Sequence, residues 1–243
     1  MLGLDPTKKE TTPGIPDSVA KNKLFAKNKP LPDRQAGVSG GKEIESGAEN
    51  LTQTDKFSRE LFATVAAASQ KGTLDQAAIE QLSSSLADKI KNSPPRKVFS
   101  LFDIKTTNND TVQAFTNYNN ALDNIYKKYP PMNYTILDVL QKFIIDENNV
   151  DASALTKLDP IIKQTNKVIE EMVKTSAPES ISNLHLSVIN SQQRLAENLS
   201  DIRLYDSDPI MALGGISQYQ KNATRLKSDL YNLANAIIKK FNN

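Results

Sequence analysis

Apolar residues recur along most of this chain at intervals of three and four, the spacing that lines one face of an α-helix, and prolines and glycines cut the pattern into segments. Phe57, Leu61, Val65 and Ala68 form a first stripe, which Gly72 stops. Leu74, Ala78, Ile79, Leu82, Leu86 and Ile90 form a second, closed by Pro94 and Pro95, so the pair predicts a helical hairpin. The next stretch, KVFSLFDIKTTNND, breaks the rhythm. Val98, Phe99, Leu101, Phe102 and Ile104 are dense in β-formers, which predicts an extended connector near 97–106 with room for one strand, leading to a helix cap at Asn109 or Asp110.

Helical spacing then returns with Val112, Phe115, Tyr118, Leu122, Ile125 and Tyr129, up to Pro130 and Pro131. A shorter run of Ile136, Leu137, Leu140, Phe143 and Ile144 gives way to the polar turn DENNVD. Leu155 and Leu158 lead through Asp159 and Pro160 into Ile161, Ile162, Val168, Ile169, Met172 and Val173, where the proline either kinks the helix or opens a new one at its first position. After Pro178 the stripe Ile181, Leu184, Val188, Leu195, Leu199 and Ile202 is interrupted by a polar layer at Ser191 and Gln192. The last pattern is the most regular. Leu213, Ile216, Tyr219, Ala223, Leu226, Leu230, Leu233, Ile237 and Phe241 step by threes and fours over about four heptads, a coiled-coil-like seam as in a long helix packed along an antiparallel or supercoiled neighbour.

Between those two long segments lies LYDSDPIMALGGISQYQ. Asp208 stands at an N-cap position and Pro209 at the favoured first helical position, so DSDP reads as the turn of a helical hairpin. A calcium loop would need further oxygen ligands at fixed spacing and a closing Glu, which do not follow. Gly214 and Gly215 fall inside the helical run, where each costs about 1 kcal/mol relative to Ala; close packing against the preceding helix or a local bend accounts for them.

Residues 1–50 carry no such periodicity. They hold Pro6, Pro13, Pro16, Pro30, Pro32 and six of the chain's nine glycines, too little apolar surface to offset the entropy of ordering, and so read as a disordered tail. GVSGGKE within it is no phosphate loop: Ala36 stands where the first Gly belongs and Glu43 follows Lys42. The 243 residues thus divide into a tail (1–50), a helical subdomain with the connector (51–147) and a long-helix bundle (148–243), an all-α antiparallel helical bundle.

Charge and composition narrow the chemistry. Thirty basic against 28 acidic residues, net +2, give no basic stripe for nucleic acid, although NIYKKYPP interleaves aromatics and cations. No cysteine means no disulfide, thiolate metal site or cysteine nucleophile. His185 is the sole histidine, which excludes two-histidine metal sites; between Leu184 and Leu186 it reads as a packing or interhelical hydrogen-bonding residue. Glu170 and Glu171, adjacent on a helix, diverge rather than pair as acid and base. These readings leave no catalytic, metal or cofactor residue, and only His185, Gln192 and Tyr219 as polar groups able to meet a ligand inside the bundle. No run reaches the length of a membrane span and the N-terminus has no signal-peptide pattern, so membrane attachment would need an anchor outside this sequence.

Three stretches together, SLFDIKTTNNDTVQAFTNYNNAL, PESISNLHLSVINSQQRLAENLSDI and DPIMALGGISQYQKNATRLKSDLYNLANAIIKKF, resemble a group of uncharacterised, predominantly helical cell-envelope proteins of small-genome uncultured bacteria. In that group a proline-led helix with a His-Leu pair precedes an Asp-Pro turn and a Tyr-containing helix. Its members usually begin with one membrane-spanning helix. The resemblance covers about residues 51–243 and implies a domain outside the cytoplasmic membrane; it brings no activity and no site residue. The resulting expectation is a non-enzymatic structural or protein–protein interaction module of the envelope, its partner a protein or a second copy met through helix faces. A helical-bundle sensor binding a small ligand between helices is the alternative.

Overall fold

The computed structural model describes residues 51–70, 76–92, 94–146 and 149–242. The tail (1–50) with its GVSGGKE glycines, and Gly72 and Leu74 of the first hairpin, lie outside these. The described residues fold as an all-α structure of seven helices: α1 (Gln53–Gln70), α2 (Gln76–Lys91), α3 (Val112–Lys128), α4 (Ile136–Phe143), α5 (Leu158–Lys174), α6 (Ser182–Ile202) and α7 (Pro209–Phe241).

Helix α6 is the axis of the molecule. Its buried residues include Ser182, His185, Val188, Ile189, Ser191, Gln192, Ala196, Glu197, Asn198, Leu199 and Asp201, which occupy every side of the helix rather than one stripe. It packs on α5 and, most extensively, on α7. The α6–α7 pair is antiparallel, since Ser191 meets Asp229, Asn198 meets Asn222, and Ile202 faces Gly215. Beyond α6, α7 also meets α1, α2 and α3.

Two apolar clusters fill the space between these helices. One gathers Phe99, Phe115, Tyr118, Leu122, Met172, Val188 and Leu233, among others, from the connector and α3, α5, α6 and α7. The other holds Val139, Phe143, Leu155, Leu158, Leu199 and Ile202, with Tyr205 and Tyr219 against it. The boundary expected at 147/148 lies outside the described residues, and both clusters draw residues from both sides of it.

Several local expectations change. The connector holds a 3-10 turn at Leu101–Asp103, and its strand, β1 (Thr106–Thr107), comes at the very end, paired in parallel with β2 (Ala177–Pro178). Of its β-formers only Phe99 and Ile104 are buried. The cap of α3 is Thr111, whose hydroxyl accepts from Ala114 N at 3.3 Å. Asn109 instead holds that threonine, accepting from its backbone N at 3.1 Å and its hydroxyl at 2.8 Å, while Asp110 bonds Ser180. Pro160 opens rather than kinks: it is the third residue of α5, in the first turn, whose N–H groups have no intrahelical acceptor.

The seam of α7 is also shifted. Leu230 and Phe241 are exposed, and the face turned to the bundle carries Ala212, Gly215, Leu226, Asp229, Leu233 and Ile237. A carboxylate therefore occupies a core position. It is accommodated because Ser191 donates its hydroxyl to Asp229 and Arg225 Nε lies 2.9 and 3.1 Å from the two carboxylate oxygens. A pattern of apolar residues passes over such a position and selects its neighbour.

The glycine pair permits close approach on two sides. A Cβ on Gly215 would lie 2.7 Å from Asn198 O and 3.0 Å from side-chain atoms of Asp201 and Ile202, so α6 and α7 touch backbone to backbone there. A Cβ on Gly214 would lie 3.3 Å from Ile90 O, at the end of α2. Asp208 caps α7 as its position indicates, accepting from Met211 N at 3.2 Å. It also accepts from Gln53 N at 2.7 Å, Thr54 N at 3.1 Å and the Thr54 hydroxyl at 2.7 Å, so one buried carboxylate closes the N-termini of both α7 and α1.

Candidate functional site

Helix α6 carries two polar faces, one turned inward and one turned to the connector. On the inward face His185 is fully buried. Its Nε2 lies 3.0 Å from the carbonyl oxygen of Met172, which can only accept, so Nε2 bears the proton and Nδ1, 2.8 Å away from Tyr118 Oη, accepts from the phenol. The Tyr118 and His185 rings meet edge-on at 5.5 Å. One turn pair further along, Gln192 donates to Tyr126 Oη at 3.2 Å, and that hydroxyl turns toward the Met172 sulfur. His185 and Gln192 thus pin α3 and α5 to α6 through the same methionine. Tyr219 is elsewhere, half-buried against Leu199 and Ile202 in the second cluster, so the three polar candidates do not share one space.

Burial sets the acid–base properties of this layer. It pushes the Tyr118 phenol far above its ordinary value and raises that of Tyr126. For His185 burial lowers the pKa from 6.5 to about 4, with the bond to Met172 O opposing it. The unfolded chain therefore takes a proton near pH 6.5 that the folded protein refuses until about pH 4. Stability from this residue is complete above pH 6.5 and declines as pH falls through that window, by on the order of 2–3 kcal/mol. Urea melts at pH 7 and pH 4.5 measure it: His185→Gln is expected to be less stable at pH 7 but to lose less than the parent between the two, and equal losses would mean that His185 takes no part.

The second polar face holds the connector. Residues 94–100 run as an extended strap across α6, with their backbone read by side chains. Asn190 accepts from Phe99 N at 2.7 Å and donates to Phe99 O at 3.0 Å, the pairing that a neighbouring strand would make. Glu197 accepts from Arg96 N at 3.0 Å and Lys97 N at 2.8 Å, and Arg194 donates to Pro94 O at 3.2 Å. Arg96 forms an ion pair with Asp201. Burial raises both carboxylates' pKa values. At Glu197 the bonds from the strap's N–H groups, Gln193 and Arg194 outweigh it, and the net shift is downward. At Asp201 burial wins over Arg96, and the net shift is upward.

Between this strap and α7 lies an open groove of about 380 Å³, lined by Pro95, Lys97 and Val98 from the strap, Ser187, Asn190, Ser191 and Arg194 from α6, and Asn222 and Arg225 from α7. Its α6 wall, at positions i, i+3, i+4 and i+7, is a polar stripe with helical period. That stripe was visible in the sequence beside the apolar one; what the sequence did not reveal is that Lys97 and Arg225 are brought to the same place.

The outer face of α7 has a different character. Past the contact with α3, Leu230, Tyr231, Ile238 and Phe241 are 36, 63, 54 and 44 % exposed. Among the described residues no cluster of His, Asp and Glu has the makings of a metal site, and no helix is long and apolar enough to cross a membrane.

Comparison of the chain with protein-family models, with curated proteins and with solved structures finds no match.

Proposed function

We propose that the chain is a non-enzymatic protein–protein interaction module whose working surface is the outer face of the C-terminal half of α7. The observation that carries this reading is the exposed stripe of Tyr231, Ile238 and Phe241, with Leu230 at its edge, on a helix whose opposite face is already occupied by the bundle. The steps from 231 to 238 to 241 are seven and three, the interval at which a second helix docks side chains into a helical surface. Large apolar side chains gathered on one exposed face are characteristic of interaction sites. The state of the sole imidazole supports the same reading: both nitrogens of His185 are engaged in holding helices together, leaving no lone pair for a metal or a substrate.

A photo-crosslinking residue at Tyr231 or Ile238, in the full chain within its native cells, is expected to give one discrete adduct that disappears when Phe241→Lys is added. The same probe at Gln113, exposed on α3, is expected to give none. An adduct of twice the chain's mass identifies a second copy as the partner. Equal labelling at all three positions, or none at any, would remove the stripe as an interaction surface.

A further inference from the structure

The geometry points to the groove between the strap and α7 as a binding site for a small anionic ligand bearing a carboxylate or phosphate group, a role that goes beyond the interaction surface on the outer face of the same helix. Three cations from three separate elements, Lys97, Arg194 and Arg225, line it, and among the described residues no carboxylate does. Two carboxylates stand behind the lining instead, both nearly buried: Glu197 holds Arg194 Nη1 at 3.3 Å and the Lys97 backbone N at 2.8 Å, and Asp229 holds Arg225 Nε. Arg194 is further fixed by Gln218 and Pro94 O.

That arrangement differs from a solvated surface in how the charges are held. An exposed arginine ordinarily samples many rotamers, and ordering it on a ligand costs entropy. Here Arg225, with a side chain 68 % exposed, is anchored through Nε to a carboxylate only 7 % exposed, and its two Nη groups have no hydrogen-bond partner among the described residues. Those are the donors with which a guanidinium grips a carboxylate or phosphate, and anchoring them beforehand lowers the cost of doing so. The position of Asp229 belongs to the same logic. Apolar residues hold the positions along this face on either side of it, Leu226 and Leu233, and a carboxylate at a core position, even when paired, is generally a poorer stabiliser than a well-packed apolar side chain. An aspartate there orients Arg225 toward the groove, which a leucine would not.

The remaining lining fits a small molecule with a polar body. Ser187 and Asn222 place a hydroxyl and an amide beside the cations, and Pro95 and Val98 add an apolar wall. With three cations in front and two carboxylates behind, the local balance is one positive charge, so the site favours an anion and is not fully neutralised from within. Lys97 supports this directly: its ammonium rests 4.3 Å from the centre of the Phe99 ring and makes no ion pair among the described residues.

Amide and Arg Nε signals of the full-length chain, followed during titration with pyrophosphate and separately with citrate at constant ionic strength, test the proposal. At least one probe is expected to shift Ser187, Asn190, Asn222 and Arg225 Nε along a saturable curve; saturation by one alone identifies phosphate or carboxylate as the ligand chemistry. Lys97→Gln is expected to weaken that binding at least tenfold while lowering the melting temperature only slightly, because the lysine gives up its contact with the Phe99 ring and no ion pair among the described residues. Arg225→Gln should weaken it at least as much. The proposal is overturned if neither probe saturates, if the shifts match those produced by sodium chloride, or if Lys97→Gln binds as the parent does.

Discussion

Gly215→Ala is expected to destabilise the protein by about 2 kcal/mol, whereas Gly214→Ala, one residue away on the same helix, stays within about 0.5 kcal/mol of the parent. Each substitution gains about 1 kcal/mol of helix propensity. At Gly215 the new methyl meets the Asn198 carbonyl at 2.7 Å, backbone against backbone, with Asp201 and Ile202 at 3.0 Å on either side, so α6 and α7 have to separate over their tightest contact. Overpacking of this kind costs about 3 kcal/mol when no flexible side chain can yield, and the helix gain offsets only part. At Gly214 the neighbour is Ile90 O at 3.3 Å, one residue from the end of α2, where a displacement of a few tenths of an ångström suffices. Thermal melts decide the matter, the Gly215 variant falling by roughly 4–8 °C. Equal melting temperatures would mean that the α6–α7 contact is looser than described.

Asp208→Ala is expected to cost about 3 kcal/mol, more than the roughly 1 kcal/mol of an ordinary N-cap. The difference lies in the second helix. Besides Met211 N, the carboxylate accepts from Gln53 N, Thr54 N and the Thr54 hydroxyl, and Thr54 in turn accepts from Ile210 N at 3.2 Å. Removing a charged acceptor from this nearly buried place leaves several donors unpaired, each worth about 1 kcal/mol or more. The loss should also be local: amides of α1 are expected to lose protection from hydrogen exchange while those of α6 keep theirs. Protection of α1 equal to that of the parent would show that its attachment to the bundle does not depend on Asp208.

Much of this architecture was legible without coordinates. Helical spacing marked out the helices and Asp208 and Pro209 announced the start of α7, because these signals are local and act within a few residues of chain; of the two readings of the glycine pair, close packing against the preceding helix or a local bend, Gly215 bears out the first, while Gly214 packs on α2. Isolation between two leucines likewise marked His185 as a packing or interhelical hydrogen-bonding residue, and it is both, while the polar interruption at Ser191 and Gln192 lies inside the bundle.

What only the tertiary structure decided is which polar residues are enclosed and with whom they pair. Asp229 and Glu197 look like surface charges in the sequence, and become core residues because Ser191 and Arg225, or two N–H groups of the strap a hundred residues away, arrive to satisfy them. Leu230, by apolarity the better core candidate, is left outside, since once a paired carboxylate fills the seam its neighbour necessarily points away around the helix. The groove follows the same rule. Lys97, Arg194 and Arg225 are far apart in sequence, and no periodicity connects them; their meeting is a consequence of the strap crossing α6 and of the register in which α7 returns along it.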